Sequence, residues 1–321
     1  MQREEIDAHA ESSPTHHKEG QSQARARGGD GKRTSPILIP VVKLGEEMTY
    51  SPWEFVQCPK IVVKVQDLVS DDGKTNSPKC EKVASSGGLH EFLSCPGEIV
   101  LSSIMPDRTI LGFTWQRYVG LIEELEPDYY LTPDGETYLG EPHLSRYEIS
   151  RVLKETRFLI DAGLNSEPIG LVKGSNVAQV RHHAKALEGL GIHRLAFHVS
   201  GFLDHGTAYS IAQADLFSAE IRKIAPWFMI YGCGSKEYFR RFRFADSFVT
   251  QRHFLDAFNG LKWDRGRKSP SRGLRLREAT MGNLSDMCKC IKQHDENARI
   301  DEWIGDGTRP LPLSRNCSRG E

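Results

Sequence analysis

Apolar positions along this chain gather into short runs of strand length, most of them continuous rather than alternating. They fall at 37–42 (ILIPVV), 60–65 (KIVVKV), 98–103 (EIVLSS), 128–133 (DYYLTP), 168–173 (PIGLVK), 194–199 (RLAFHV), 227–232 (WFMIYG) and 245–250 (ADSFVT). Val, Ile, Phe and Tyr recur in them, as expected of residues that fit a pleated surface. Several runs are separated by stretches of helical spacing. In 115–126, Tyr118, Leu121, Ile122 and Leu125 share one face. The stretch 145–163 starts at Ser145, a cap-forming residue, and stops at Gly163; 176–191 and 208–225 follow the same rule. Continuous apolar strands alternating with amphipathic helices predict parallel pairing through right-handed crossovers. The eight runs predict an α/β fold, a (β/α)8 TIM-type barrel. An open doubly wound sheet is the rival, weakened because no G-x-G-x-x-G follows the first strand. The segment 67–96 fits neither period and reads as a long loop or an inserted hairpin.

Residues 1–35 hold no aromatic residue and are rich in Ser, Gly, His, Arg and Glu. Such a stretch cannot bury enough apolar surface to offset chain entropy, so a disordered tail is expected there. The barrel is expected over 36–305 and an irregular, proline-bearing tail over 306–321. The chain has 321 residues, 38% of them hydrophobic, enough for a sizeable core. No apolar run of about 18 residues occurs, so no membrane span is expected. The segment MQREEIDAHAESSPTHHKEG lacks an apolar h-region, so the expected location is cytoplasmic. Seven cysteines, an odd number, suit free thiols or a metal site better than a disulfide framework.

In such a barrel the site lies at the C-terminal ends of the strands. That rule selects Asp134, Lys173 with Gly174, His198 with Ser200 and Gly201, Gly232 with Cys233 and Gly234, and Asp246 with Ser247. Glycines at strand ends let a planar ligand approach the backbone, and equally serve as plain turn residues. Asp134 and Asp246, if they converge across the mouth, form a pair of acids suited to nucleophilic and general acid–base work at a glycosidic carbon. The bland alternatives are a turn or cap role for Asp134 and a hydrogen-bonded strand-start role for Asp246.

The segments 168–202, 227–239 (WFMIYGCGSKEYF) and 245–248 (ADSF) together resemble the queuine/archaeosine tRNA-guanine transglycosylase superfamily, which includes the DNA deazaguanine transglycosylases. The family's V-Q-G, G-G-L and M-G-V-G turns are similar to Val172-Lys173-Gly174, Val199-Ser200-Gly201 and Tyr231-Gly232-Cys233-Gly234, followed by Asp246. Upstream, YVGLIEELEPDYYLTPD (118–134) is similar to the helix and strand that end in the family's base-recognising Asp, here Asp134. SPILIPVVKLG (35–45) is similar to the family's opening T-P-V-F-M-P-V-G-T. The ordered set covers roughly 36–295.

The resemblance implies a pentosyl-transferring glycosyltransferase that replaces guanine with a 7-deazaguanine in DNA or tRNA. One Asp attacks the anomeric carbon and expels guanine, and the incoming base then displaces that Asp. The target base must leave its stack to reach such a pocket. The resemblance assigns catalysis to Asp246 and Ser102. It assigns substrate binding to Asp134, Lys173, Gly174, Ser200, Gly201, Gly232 and Gly234. It also implies a homodimer. Two departures favour the runner-up, a catalytically silent nucleic-acid-binding relative. The family's D-S-G-G-F-Q carries an essential Asp, yet Ser85-Ser86-Gly87-Gly88 and Leu101-Ser102-Ser103, the nearest matches, have Ser there. A tighter register against the family's x-D-M-F-D-C puts Asp246 at the earlier Asp and Val249 at the nucleophile.

The family's structural zinc site, C-x-C-x2-C and a later His, is similar to Cys288-Lys289-Cys290 with His294, and Cys317 completes four soft ligands in a small element over 286–317. The C-x-C-x3-H spacing also fits coincidence or a decayed site. Cys58, Cys80, Cys95 and Cys233 read as ordinary buried or loop thiols. The net charge of -1 conceals a cluster at 239–277 with 11 Lys/Arg against three Asp. Basic residues interleaved with Phe and Trp suit phosphate contact and base stacking, which points to Arg240, Arg241, Arg243, Arg265, Arg267 and Lys268. A solvated basic face is the alternative. A third class is an unrelated barrel lyase or aldolase with Lys173 as a Schiff-base amine.

Overall fold

The computed structural model describes residues 35–44, 51–204 and 206–304, with side chains up to 293. Eight parallel strands close into a barrel in sequence order: β1 Ile37–Val42, β2 Lys60–Lys64, β3 Glu98–Ser102, β4 Tyr129–Leu131, β5 Glu167–Val172, β6 Arg194–His198, β7 Trp227–Tyr231 and β8 Ser247–Thr250. Closure is made by β8 against β1, with Leu38 opposite Phe248 and Ile39 opposite Val249. The (β/α)8 expectation therefore holds, and the open-sheet alternative is excluded.

Helices occupy the crossovers. They are α1 Pro78–Ser85, α2 Leu89–Leu93, α3 Asp107–Ile110, α4 Trp115–Leu125, α5 Pro142–Asp161, α6 Val177–Gly189, α7 Ser200–Asp204, α8 Ala208–Arg222, α9 Lys236–Arg241 and α10 Arg252–Phe258. An antiparallel hairpin, β9 Leu261–Asp264 and β10 Arg267–Pro270, follows, and α11 Leu276–Ile304 comes after it. Arg265 and Gly266 turn the hairpin with positive φ at both central positions (49° and 79°), the twist that tight hairpins require.

Period two explains why the strands are apolar throughout. Odd and even positions face different cores, and both cores are dry. Val62, Val100, Leu171, Ala196, Met229 and Val249 fill the barrel interior. Ile61, Val63, Leu101, Phe228, Ile230 and Phe248 pack outward against the helices. Each such aliphatic side chain contributes about 1.5–3 kcal/mol by burial.

Two local expectations need correction. The segment 67–96 is a loop that carries two helices, α1 and α2: Ser77 caps α1 by accepting the Cys80 N–H (3.3 Å), Pro78 takes the first helical position, and Val69 and Asn76 form an isolated antiparallel bridge. Ser145 is not a cap. The helix α5 starts at Pro142, and the Ser145 hydroxyl accepts the Tyr138 N–H (3.0 Å). Gly163 does follow the end of α5 in the left-handed region (φ 67°). The two tails lie outside the described residues. Among the described residues, no helix is long and apolar enough to cross a membrane.

Candidate functional site at the barrel mouth

The alternation that fills the interior continues one step past the apolar layer. The inward residue two positions after Val62 is Lys64, after Val100 Ser102, after Leu171 Lys173, after Ala196 His198, after Met229 Tyr231 and after Val249 Gln251. A polar ring thus caps the dry interior at the C-terminal face. Hydrogen bonds across the ring bear this out. The Lys64 ammonium donates to Gln251 Oε1 (2.9 Å), joining the end of β2 to the end of β8 across β1. The Ser102 hydroxyl, buried at the end of β3, donates to the Tyr231 hydroxyl (3.4 Å) of β7.

Asp134 enters from the loop after β4. It is buried, its carboxylate pairs with the Lys173 ammonium, and it accepts the Gly135 N–H (2.8 Å). Asp134 and Lys173 are therefore brought together at the mouth. The ion pair also speaks against Lys173 as a Schiff-base amine, because its ammonium is already engaged by the Asp134 carboxylate.

His198 Nε2 lies 3.0 Å from Ser200 Oγ, and its ring stands edge-on to Tyr231 with centroids 5.4 Å apart. Burial, reinforced by the positive charges of Lys173 and Lys64 and opposed by Asp134, pushes the imidazole pKa down to about 4. The ring is thus neutral at pH 7, with one nitrogen able to donate a hydrogen bond and the other to accept one. Burial also holds the Tyr231 phenol above its ordinary range, with Ser102 opposing and the charges of Asp134 and Asp67 adding to the shift. At Lys64, burial lowers the ammonium pKa, Asp67 opposes and Lys43 adds to the lowering. Asp67 sits in the single turn after β2, accepts the Leu44 N–H (3.1 Å), and is raised by burial against the pull of that bond and of Lys64, Lys79 and Lys43.

The glycines play different parts. Gly232 adopts φ 86°, and a Cβ there would stand 2.0 Å from Ser200 Oγ, so only glycine lets the β6 and β7 loops meet. Gly174 packs under Val180 of α6 and Gly234 under Arg252 of α10, so packing alone accounts for both. Gly201 lies in α7 with open space where its Cβ would be.

Asp246 overturns the expected carboxylate pair. It precedes β8, so it lies at the N-terminal floor of the barrel, the opposite end from Asp134. There it accepts Arg222 Nη1 (2.6 Å) and the Phe228 N–H (2.8 Å). Asp128 makes the same arrangement half a barrel away: it precedes β4, accepts the Ile99 N–H (2.7 Å) and meets His90 Nε2 (2.9 Å). Each of these aspartates also offers its own carbonyl to the first N–H of the next strand, Glu167 for Asp128 and Ile37 for Asp246. Their shared role is to tie strand starts together. Position 249 faces the interior, and it is Val.

The metal expectation finds no support among the described residues. Cys288 and Cys290 belong to one continuous helix, α11, and residues two apart on a helix do not face each other. Cys288 faces a cavity of about 460 Å³ beside Pro36, Ile37 and Val56. Cys290 is buried on another side, its Sγ 3.9 Å from Asp286 Oδ2 and within the field of Lys236 and Arg240 of α9. His294 and Cys317 fall outside the residues whose side chains are described. Among the described residues, no group of three or more His, Cys, Asp or Glu could hold a metal ion. Cys58, Cys80, Cys95 and Cys233 are buried free thiols, as expected.

The basic residues divide. Arg241 pairs with Asp215 (2.5 Å) and Lys268 with Asp256 (3.0 Å), the latter also 5.7 Å from the Trp263 ring centre. Arg240, Arg243, Arg265 and Arg267 are exposed. The hairpin is anchored by Asp286, which accepts the Arg265 and Gly266 N–H groups (2.9 and 2.8 Å). Lys236, just past the end of β7, donates to the Arg265 carbonyl (3.2 Å), so the hairpin stands on the mouth side.

No family model matches this chain, and no curated protein matches it. The site is therefore argued from its own residues. Sequence reading missed Lys64, Tyr231 and Gln251 as members of the ring, and Asp67 beside it. The signal was present: each ring member stands two residues after an inward apolar residue near the end of its strand.

Proposed function

We propose that this chain is a nucleobase-binding relative of the guanine transglycosylase superfamily that recognises its base in DNA or RNA without forming an Asp-glycosyl intermediate. The observation that carries this reading is the chemistry of the eighth strand: Val249 faces the interior, while Asp246 is bound to Arg222 and Phe228 at the far end. Without a carboxylate at that point, displacement of guanine by an aspartate has no nucleophile. Base recognition keeps its means. Asp134 offers a carboxylate to an amidine edge, while Lys173, Ser102 and the Tyr231 phenol offer donors to a keto oxygen. The exposed arginines beside the hairpin supply phosphate contacts on the same side of the barrel.

The test is equilibrium binding of fluorescent tRNA and duplex DNA to the full chain, with free 7-deazaguanine as competitor. Binding to at least one polymer, relieved by the competitor and weakened tenfold or more in Asp134→Asn, is the expected result. Absence of binding to both polymers, or binding indifferent to Asp134→Asn and to the competitor, contradicts the reading.

A further inference from the structure

The barrel mouth contains two inward lysines in opposite circumstances. Lys173 is matched by the Asp134 carboxylate. Lys64 is half-buried, and its hydrogen bond goes to a neutral acceptor, the Gln251 amide oxygen (2.9 Å). Among the described residues, Lys64 has no carboxylate within ion-pair distance. Lys43, at the corresponding place after β1, lies near enough for its positive charge to be felt at Lys64, while Asp67, beyond ion-pair distance, opposes burial and Lys43. Removal from water and a second cation nearby are the two conditions that release a lysine lone pair for attack on a carbonyl. The reach of Lys64 is also right. Its side chain turns inward with Val62, and its ammonium reaches across β1 to Gln251 at the end of β8.

We propose that Lys64 is an imine-forming amine that captures the aldehyde carbon of an open-chain sugar at the barrel mouth. The nitrogen lone pair attacks that carbon, forming a C–N bond while the C=O π pair moves onto oxygen. The oxygen gains a proton and the nitrogen loses one to solvent at the mouth. The carbinolamine then expels its protonated hydroxyl as water, and C=N forms. Gln251 holds the amine by its carbonyl oxygen. Its NH2 remains available to donate to the departing oxygen. The inference rests on the base-binding reading for one point only, the source of the sugar. A ring-opened abasic deoxyribose in a DNA strand and a free aldose present the same aldehyde.

The test is reductive trapping on the full chain with cyanoborohydride, which supplies the hydride that fixes the imine as a secondary amine. One arm uses a duplex carrying a single abasic site and the other uses glyceraldehyde, with adducts mapped by peptide mass spectrometry. The expected result is an adduct on Lys64 in at least one arm, with Lys173 and the surface lysines labelled at least tenfold less. Total mouth labelling should fall at least tenfold in Lys64→Arg and be retained in Lys185→Arg, a change on the exposed face of α6. Labelling in the duplex arm assigns the sugar to a polymer; labelling by glyceraldehyde alone supports the imine site with a free aldose. Polymer binding, measured separately by anisotropy on tRNA and intact duplex, judges the base-binding reading in either case. No adduct on Lys64 in either arm, or labelling of Lys64 no greater than that of Lys173 and the surface lysines, overturns the proposal. Mapping on the parent chain distinguishes these outcomes even if Lys64→Arg fails to fold.

Discussion

The two ends of the barrel use the same residue types for different purposes. At the floor, charges are spent in pairs that close strand starts: Asp246 with Arg222, Asp128 with His90, and Arg194 with Glu167. Tyr129 completes the floor, with Lys60 at 4.2 Å and Arg194 at 5.0 Å from its ring centre and its hydroxyl donating to Glu98 (3.0 Å). Among the described residues of the mouth ring, Asp134 and Lys173 are the pair matched in this way. Lys64 rests on an amide, His198 is kept neutral, and Tyr231 is kept protonated. Groups held short of full electrostatic satisfaction are those free to answer a ligand. A carboxylate at a barrel strand therefore tells little until its end of the strand is known.

The comparison breaks first at Asp246. Asp246→Ala leaves the Phe228 N–H and the Arg222 guanidinium without their acceptor, and a loss of about 3–4 kcal/mol in urea unfolding is expected. Asp128→Ala should lose a similar amount, and polymer binding by the folded fraction should be unchanged in both. A full-strength fold in Asp246→Ala would remove the floor role.

A smaller effect sharpens the mouth. Folded His198 titrates near pH 4 instead of 6.5, so between those values the unfolded chain binds more protons than the folded one. Its contribution is complete above pH 6.5 and is lost as pH falls toward 4, on the order of 3 kcal/mol by then. His183, lowered to about 3, and His253, lowered to about 4, act in the same direction, chiefly through burial. Unfolding curves of His198→Gln against the parent from pH 7 to 4 should show a shallower acid slope in the variant. Identical slopes would mean that the imidazole is not held neutral.

How far the sequence reaches is clearest at particular residues. The continuous apolar runs marked all eight strands, because two-sided burial leaves no room for polar alternation. The run ADSFVT located β8, but its Asp stood at the start, and in a parallel barrel every strand start lies on the floor. Chain direction alone excluded Asp246 from the mouth. Lys64, by contrast, lies inside KIVVKV, and its place in the mouth follows only once the inward parity of Val62 is fixed, which needs the closed sheet. The Cys288-x-Cys290 spacing suits a loop, whereas these two residues lie in a 29-residue helix, which spacing alone did not reveal.

Weaker still are the expected effects outside the mouth. Replacing Arg265 and Arg267 by Ala should reduce the salt-dependence slope of polymer binding by about one for each phosphate no longer neutralised, without changing base preference. An unchanged slope would place the phosphates elsewhere. Treatment with a strong chelator should leave the melting temperature unchanged, since Cys288 and Cys290 face apart; a clear drop would restore the metal.

The most direct test of the division between floor and mouth is incorporation of labelled guanine into tRNA and duplex DNA by the parent chain, with Asp246→Ala alongside. The account predicts no incorporation by either protein under conditions where the parent binds polymer. Incorporation by the parent that disappears in a folded Asp246→Ala would contradict it, since a residue that ties the floor together would then be the nucleophile.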